Sequence, residues 1–212
     1  MGLNTLMGAQ VRRPSGLLGH LIGHMMARGH RRLTEWAVGM MGIRAADRIL
    51  DLGCGSGMAI QMMRSIAVDG YVAGVDYSPV MVRQAHRRNA ADVRAGRVAV
   101  LHGEVSSLPL PNSSYDKVSA VETFYFWPDP LASLREARRV LKPGGLAAIT
   151  MEMSKEEDPA CHKAADAAAT YGFAIYSAAE MEQLMRQAGF SQTHCACEPD
   201  RGEGWLCALG TA

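Results

Sequence analysis

The sequence predicts an α/β chain: a doubly wound, mostly parallel sheet of seven strands with a helical N-terminal cap. Three observations carry this expectation. Short apolar runs alternate along the chain with stretches of helical periodicity, the pattern of strand–helix–strand units. One run, residues 49–52, ends in glycines at alternate positions, Gly53, Gly55 and Gly57, ahead of the apolar Met58, Ile60, Met62 and Met63, and so reads as strand, tight loop and helix. A second run, residues 71–76, ends on the acid Asp76. With 212 residues, 48% of them hydrophobic and 20% charged, the chain can bury one good core. A single domain over 1–212 is expected, 1–45 forming the cap and 46–212 the core.

Bulk properties narrow the partners. A formal charge of +1 gives no global field for gripping nucleic acid. Arg83, Arg87 and Arg88 fall on one predicted helix and Arg135, Arg138 and Arg139 on another, where solvated faces explain them. No apolar run approaches the roughly 18 residues of a membrane span. The first residues lack a signal-peptide core, and Leu6 breaks the myristoylation pattern that Met1 and Gly2 begin. A cytoplasmic protein without nucleic-acid or membrane partners is expected. Five scattered cysteines fit reduced thiols better than a disulfide framework. The oligomeric state stays open, a homodimer included.

Residues 1–16 read as a loose start, and from Leu17 to about Gly42 the pattern turns helical, with a break near Gly29. His20 and His24 stand four apart on one helical face, with His30 further along. They suit a metal pair, a substrate-facing base or simply a polar helix edge. A metal site needs a third ligand, which the segment does not supply at a telling spacing, so none is expected.

The glycine loop is the first feature with chemistry. Glycine tolerates positive φ and lets a ligand lie against the backbone, and amides at the start of the next helix can face a carboxylate or phosphate. Asp76 lies 19 residues beyond Gly57. An acid at the tip of the strand after such a loop can accept hydrogen bonds from both ribose hydroxyls, so loop and acid together describe a nucleoside-bearing ligand across strand ends. Ser78-Pro79 already supplies a helix cap and first turn, which frees Asp76 for that role. The dinucleotide fingerprint would place its third glycine at 58. Methionine stands there, which disfavours a dehydrogenase.

The third strand is expected over Arg97–Leu101, followed by His102-Gly103-Glu104-Val105 and Leu108-Pro109-Leu110-Pro111. Residues 116–122 suit a fourth strand, with the aromatic stretch Phe124-Tyr125-Phe126-Trp127 after it. A helix over Pro130–Leu141 is broken by Lys142-Pro143-Gly144-Gly145, and Leu146–Met151 is the fifth strand. An alanine-rich helix is expected around 160–170. Ser177 caps a helix to Gln187 that Gly189 ends. Thr193, Cys195 and Cys197 alternate on one strand face. A Cys-x-Cys pair without a second pair is weak evidence for a metal. Trp205–Leu209 closes the sheet, and the last strand is expected to be antiparallel.

The run from Ile49 to Gly57, with Asp76 downstream, resembles the class I S-adenosylmethionine (SAM)-dependent methyltransferases, and the resemblance continues in order over roughly 48–190. It includes the Leu-Lys-Pro-Gly-Gly stretch before the fifth strand, similar to the small-molecule branch of that family. It implies a Rossmann-like fold, SAM as cofactor and methyl transfer to a small-molecule acceptor. Asp51, Gly53, Gly55, Gly57, Asp76, Tyr77, Glu104, Val105 and Val121 then become cofactor-binding candidates. Glu104 takes the place of the family's usual Asp, accepting from the adenine amine while the Val105 amide donates to a ring nitrogen. The family's amine methylases of DNA, RNA and protein glutamine commonly carry Asn/Asp-Pro-Pro-Tyr/Phe after the fourth strand. Val121-Glu122-Thr123-Phe124 departs from that.

Binding pockets of open α/β sheets form at strand carboxyl ends, which makes Tyr125, Phe126 and Trp127 acceptor-pocket candidates, with Tyr171 and Tyr176 added from further on. Glu122 is a general base, an orienter of the acceptor or an anchor for the cofactor's ammonium. For a hydroxyl acceptor the base candidates rank Glu122, His20, His24. A noncatalytic SAM-binding module, or a nucleic-acid or protein methyltransferase, are the competing readings.

Overall fold

The computed structural model describes residues 29–155, 174–198 and 204–212. Its elements in chain order are α1 (Arg31–Met40), β1 (Arg48–Leu52), α2 (Met58–Ile66), β2 (Tyr71–Asp76), α3 (Pro79–Arg88), α4 (Ala90–Arg94) and β3 (Val98–His102). Then come β4 (Tyr115–Val121), a 3₁₀ turn (Phe124–Phe126), α5 (Pro130–Val140), β5 (Leu141–Met151), α6 (Ala178–Gln187), β6 (Ser191–Glu198) and β7 (Trp205–Thr211). The strands form one sheet in the order β3-β2-β1-β4-β5-β7-β6. β1 to β5 run parallel, and β7 is antiparallel to both of its neighbours. The doubly wound, mostly parallel seven-stranded sheet is therefore as the sequence predicts, including its antiparallel last strand.

Side-chain alternation divides the core into two layers. Leu50, Ala73, Ala147, Leu206 and Ala208 face one side with Leu134, Ala137, Met181 and Met185 of α5 and α6. Ile49, Val72, Ala148, Cys207 and Leu209 face the other with Val38 of α1, Ile60 and Met63 of α2 and Ala85 of α3. Burial on both faces explains why the central strands read as continuous apolar runs. α1 belongs to the second layer, in contact with α2, β5 and β7. The part of the expected cap before residue 29 lies outside the described residues, as does the 160–170 helix.

Helix starts follow local chemistry. Ser78 Oγ accepts the Met81 amide, with Pro79 at the first helical position of α3. Asp129 Oδ1 does the same for the Ala132 amide ahead of Pro130 in α5. At α6 a capping box joins Ser177 and Glu180: the Ser177 hydroxyl accepts the Glu180 amide, and the Glu180 carboxylate accepts the Ser177 amide.

Two details differ from expectation. The Lys142–Gly145 stretch does not stop the chain before a new strand. Leu141 already pairs with Tyr115, and Lys142–Gly145 form a bulge before Leu146 resumes opposite Lys117. Backbone bonds from Gly144 and Gly145 to Ala212 hold that bulge, so turn residues are absorbed into an interrupted strand. And β7 does not close the sheet: it lies between β5 and β6, leaving β6 at the edge. All but the last of its residues are buried, as an interior strand requires, whereas β6 is largely exposed.

Candidate functional site

The glycine loop leaves β1 and folds back on β2, the amides of Gly53 and Cys54 both donating to the Val75 carbonyl. Its three glycines all have positive φ but serve different ends. A Cβ on Gly53 would lie 2.1 Å from Thr123 Oγ1, so this glycine lets the loop sit against the residue after the β4 tip. A Cβ on Gly57 would meet Ala85 and Asn89 of the α3 end, and Asn89 donates to the Gly57 carbonyl. Gly55 faces open space. Gly57 is also the N-cap of α2 and has no side-chain cap, so the first amides of α2 stay available to a ligand.

Below the loop lie two buried carboxyl groups. Asp76 Oδ2 accepts the Gly55 amide at 2.8 Å and Oδ1 accepts the Ser78 amide at 2.8 Å. The expectation that the Ser78 cap frees Asp76 from structural work holds only in part, because Asp76 also clasps the loop to the start of α3. Each oxygen keeps a further lone pair for a hydroxyl donor. Burial raises the Asp76 pKa against the lowering effect of these amides. Asp51, on β1, is pushed up to about 7, chiefly by burial, with the Ser119 hydrogen bond opposing and Asp76 adding to the rise. The Cys54 thiol is pushed up by burial and by the same two acids, which makes it an inert packing group.

Beyond β2 the chain brings the predicted adenine side alongside. Asp76 pairs with His102 across β2 and β3, and the Gly103 amide donates to the Asp76 carbonyl. His102 Nε2 lies 3.0 Å from the Tyr77 carbonyl. Glu104 is exposed just past this point, bridged to Ser107, with Val105 half-buried beside it. Asp76, Tyr77, Glu104 and Val105 thus share the carboxyl-end rim with the glycine loop.

The tips of β4 and β5 carry the second half of the site. Val121 is the last residue of β4, and Glu122 follows it at φ 57, a left-handed conformation that turns the chain into the aromatic segment. Glu122 Oε1 accepts the Tyr125 hydroxyl at 3.0 Å and also the Glu152 amide. The Tyr125 oxygen in turn accepts the Met153 amide at 2.8 Å. Burial, then the neighbouring Glu152 carboxylate, pushes Glu122 up to about 8. Burial and Glu122 raise the Tyr125 hydroxyl as well.

Of the aromatic candidates, Tyr125 and Trp127 are buried, and Phe126 and Tyr176 are half-buried. Trp127 packs tilted against Phe124, ring centroids 4.8 Å apart, and Phe124 meets Tyr176 edge-on at 5.2 Å. The structure therefore unites Glu122, Tyr125, Phe126, Trp127 and Tyr176 around the β4 tip. His20, His24 and Tyr171 lie outside the described residues.

His30, read in the sequence only as lying beyond the His20–His24 pair, and Glu152, which the sequence did not single out, complete the β4–β5 tip. His30, just before α1, places Nε2 3.2 Å from Glu152 Oε2 and 4.0 Å from Glu122 Oε2. Its carbonyl accepts both the amide and the hydroxyl of Thr34, which fixes its backbone. Glu152 carried no local signal beyond its place one residue after the fifth strand.

The loop fits SAM: Gly55 offers bare backbone, the α2 start offers amides to a carboxylate, and Asp76 offers lone pairs to a ribose. A family model described as "Methyltransferase domain" matches residues 50–149. An uncharacterized methyltransferase of Bacillus subtilis, YdaC, is 36% identical over 132 residues, 62% of this chain and 71% of that protein. The 27-O-demethylrifamycin SV methyltransferase of Amycolatopsis mediterranei is 42% identical over 120 residues, 56% of this chain and 43% of that protein, so the chain spans under half of that relative's length. Among solved structures, a complex of the Haloferax volcanii Trm112 methyltransferase activator with a methyltransferase aligns at TM-score 0.75 and 26% identity, covering 91% of this chain and 93% of that one. Sheet order, glycine loop and these similarities converge, and the chain belongs to the class I SAM-dependent methyltransferases.

Proposed function

We propose that the chain transfers the methyl group of SAM to a small-molecule acceptor docked at the tips of β4 and β5. The carrying observation is that the Gly53–Thr123 contact sets the glycine loop directly against the residue after Glu122, so cofactor cradle and acid cluster are neighbours. The sulfonium of SAM supplies an already reactive methyl, and the protein's share is alignment and exclusion of water.

In this reading Gly53, Gly55, Gly57 and the α2 amides hold the amino-acid end of the cofactor. Asp76 and Tyr77 hold the ribose, Glu104 and Val105 the adenine, and the Val121 backbone lies along the methionine, above buried Asp51. Glu122 orients the acceptor, with His24 and His20 as further catalytic candidates, and Phe126 and Tyr176 give it an apolar wall. The named activity of the Amycolatopsis relative supports a small-molecule acceptor. The balanced charge, +1 overall, speaks against a nucleic-acid track, and no described helix is long and apolar enough to cross a membrane.

Calorimetry with SAM on the full chain tests the cofactor half. Binding should fall at least ~10-fold in Asp76→Ala, which strips two amides of their acceptor. Unchanged binding would overturn the assignment. A methyl-transfer screen over thiols, phenols, amines and carbon nucleophiles tests the acceptor half, and transfer to nucleic acid or protein alone would sink it.

A further inference from the structure

His30, Glu122 and Glu152 reach one point from three separate elements: the start of α1, the β4 tip and the residue after β5. Each offers one donor atom, and the three atoms lie within 4.8 Å of one another. Around an ion with nitrogen and oxygen donors at ~2.1 Å, adjacent donors stand ~3.0 Å apart in octahedral and ~3.4 Å in tetrahedral geometry. The His30–Glu152 separation of 3.2 Å falls in that interval, while the His30–Glu122 separation is 4.0 Å.

Glu122 is built for such a role. Its Oε1 is anchored by the Tyr125 hydroxyl and the Glu152 amide, which fixes the carboxylate plane and leaves Oε2 toward His30. Outer hydrogen bonds of this kind orient metal-ligating carboxylates. Two carboxylates converge here with one imidazole. Among the described residues no lysine or arginine pairs with either acid: Lys155 is taken by Glu180 and Lys142 by Asp116.

We propose that His30, Glu122 and Glu152 form a binding site for one divalent transition-metal ion of the Mn²⁺, Fe²⁺ or Zn²⁺ kind. The imidazole favours these ions over Ca²⁺ and Mg²⁺, which take all-oxygen sets. Three protein ligands leave coordination positions open, and an acceptor oxygen or nitrogen can occupy one of them. That use of the ion rests on the methyltransferase reading; its binding does not.

The test is a Mn²⁺ titration of the full chain without SAM, read by loss of the free-ion paramagnetic resonance signal, with Zn²⁺ calorimetry in parallel. The expected result is saturable binding of one ion per chain, weakened at least ~10-fold by His30→Ala and by Glu152→Gln. Both side chains are partly exposed, at 27% and 35%, so neither change removes a core group, and thermal melts with SAM calorimetry on the same variants verify the fold. No saturable binding of either ion, or binding that both variants leave unchanged, overturns the proposal. Normal Mn²⁺ binding in a chain that fails to bind SAM would refute the methyltransferase reading and leave the cation site standing.

Discussion

The β1–β2 side and the β4–β5 side of this rim are built from different materials. At the β1–β2 tips the loop is closed by backbone: amides of Gly53 and Cys54 on Val75, and the Gly55 amide on Asp76. Its two acids are buried, with hydrogen bonds from Ser119 and from the Gly55 and Ser78 amides. At the β4–β5 tips the arrangement is made by side chains from distant segments, His30 meeting Glu122 and Glu152. Under the proposed function, a cradle made of backbone is the same for any acceptor, whereas side chains at the other tip can vary with the substrate without disturbing it.

Substitutions can break or sharpen that contrast. The largest effect is expected for Gly53→Ala, whose Cβ would overlap Thr123 and whose φ disfavours any side chain. A loss of ~3 kcal/mol or more in urea unfolding is expected; a loss under ~1 kcal/mol would mean that the loop is not locked to the β4 tip. Next is Asp51→Asn. Because the folded-state pKa, about 7, lies above the ordinary carboxyl value of 3.8, the folded chain holds that proton more tightly than the unfolded chain. Wild-type stability should therefore fall as pH rises from about 4 to about 7, by up to roughly 4 kcal/mol. Asn removes that slope, and unfolding free energies from urea at pH 5 and pH 8 should differ by roughly 2–3 kcal/mol less in the variant. Equal slopes in the two proteins would put the acid elsewhere in its titration.

Gly55→Ala is expected to behave unlike its neighbour. The added methyl meets no atom, so stability should drop by only ~1 kcal/mol for the left-handed backbone. SAM affinity should fall ~10-fold or more, and a variant that binds SAM normally would show that the open face is not the cradle. The smallest effect belongs to Ser177→Ala, which removes the hydroxyl half of the α6 capping box and should cost ~0.5–1 kcal/mol. SAM binding should be unaffected; a change there would tie α6 to the site.

Legibility in the sequence follows the same division. The glycine loop, the Asp76 strand tip and the Ser78 and Ser177 caps were readable because each is a short stretch whose residue types dictate its conformation. The doubly wound, mostly parallel character of the sheet followed from alternating strand and helix signals. The His30–Glu122–Glu152 cluster was not readable, because its members belong to separate elements and only folding brings them together. The Lys142–Gly145 bulge read as a break because a strand can absorb turn residues where its partner permits it. The interior place of β7 was hidden for a similar reason: alternation tells which face a residue takes, not which strand lies next door.

The position of β7 has a consequence for the order of assembly. Strands β1 to β4 find their partners among themselves within residues 48–121, so the glycine loop can take shape early. β5, which leads directly into Glu152, keeps an unpaired edge until residues 205–211 arrive to cover it and receive β6. That pairing spans a long sequence separation, which makes it slow to form. In the proposed function, the tip that receives the acceptor is therefore completed only by the last strand to be made, after the strands that carry the glycine loop.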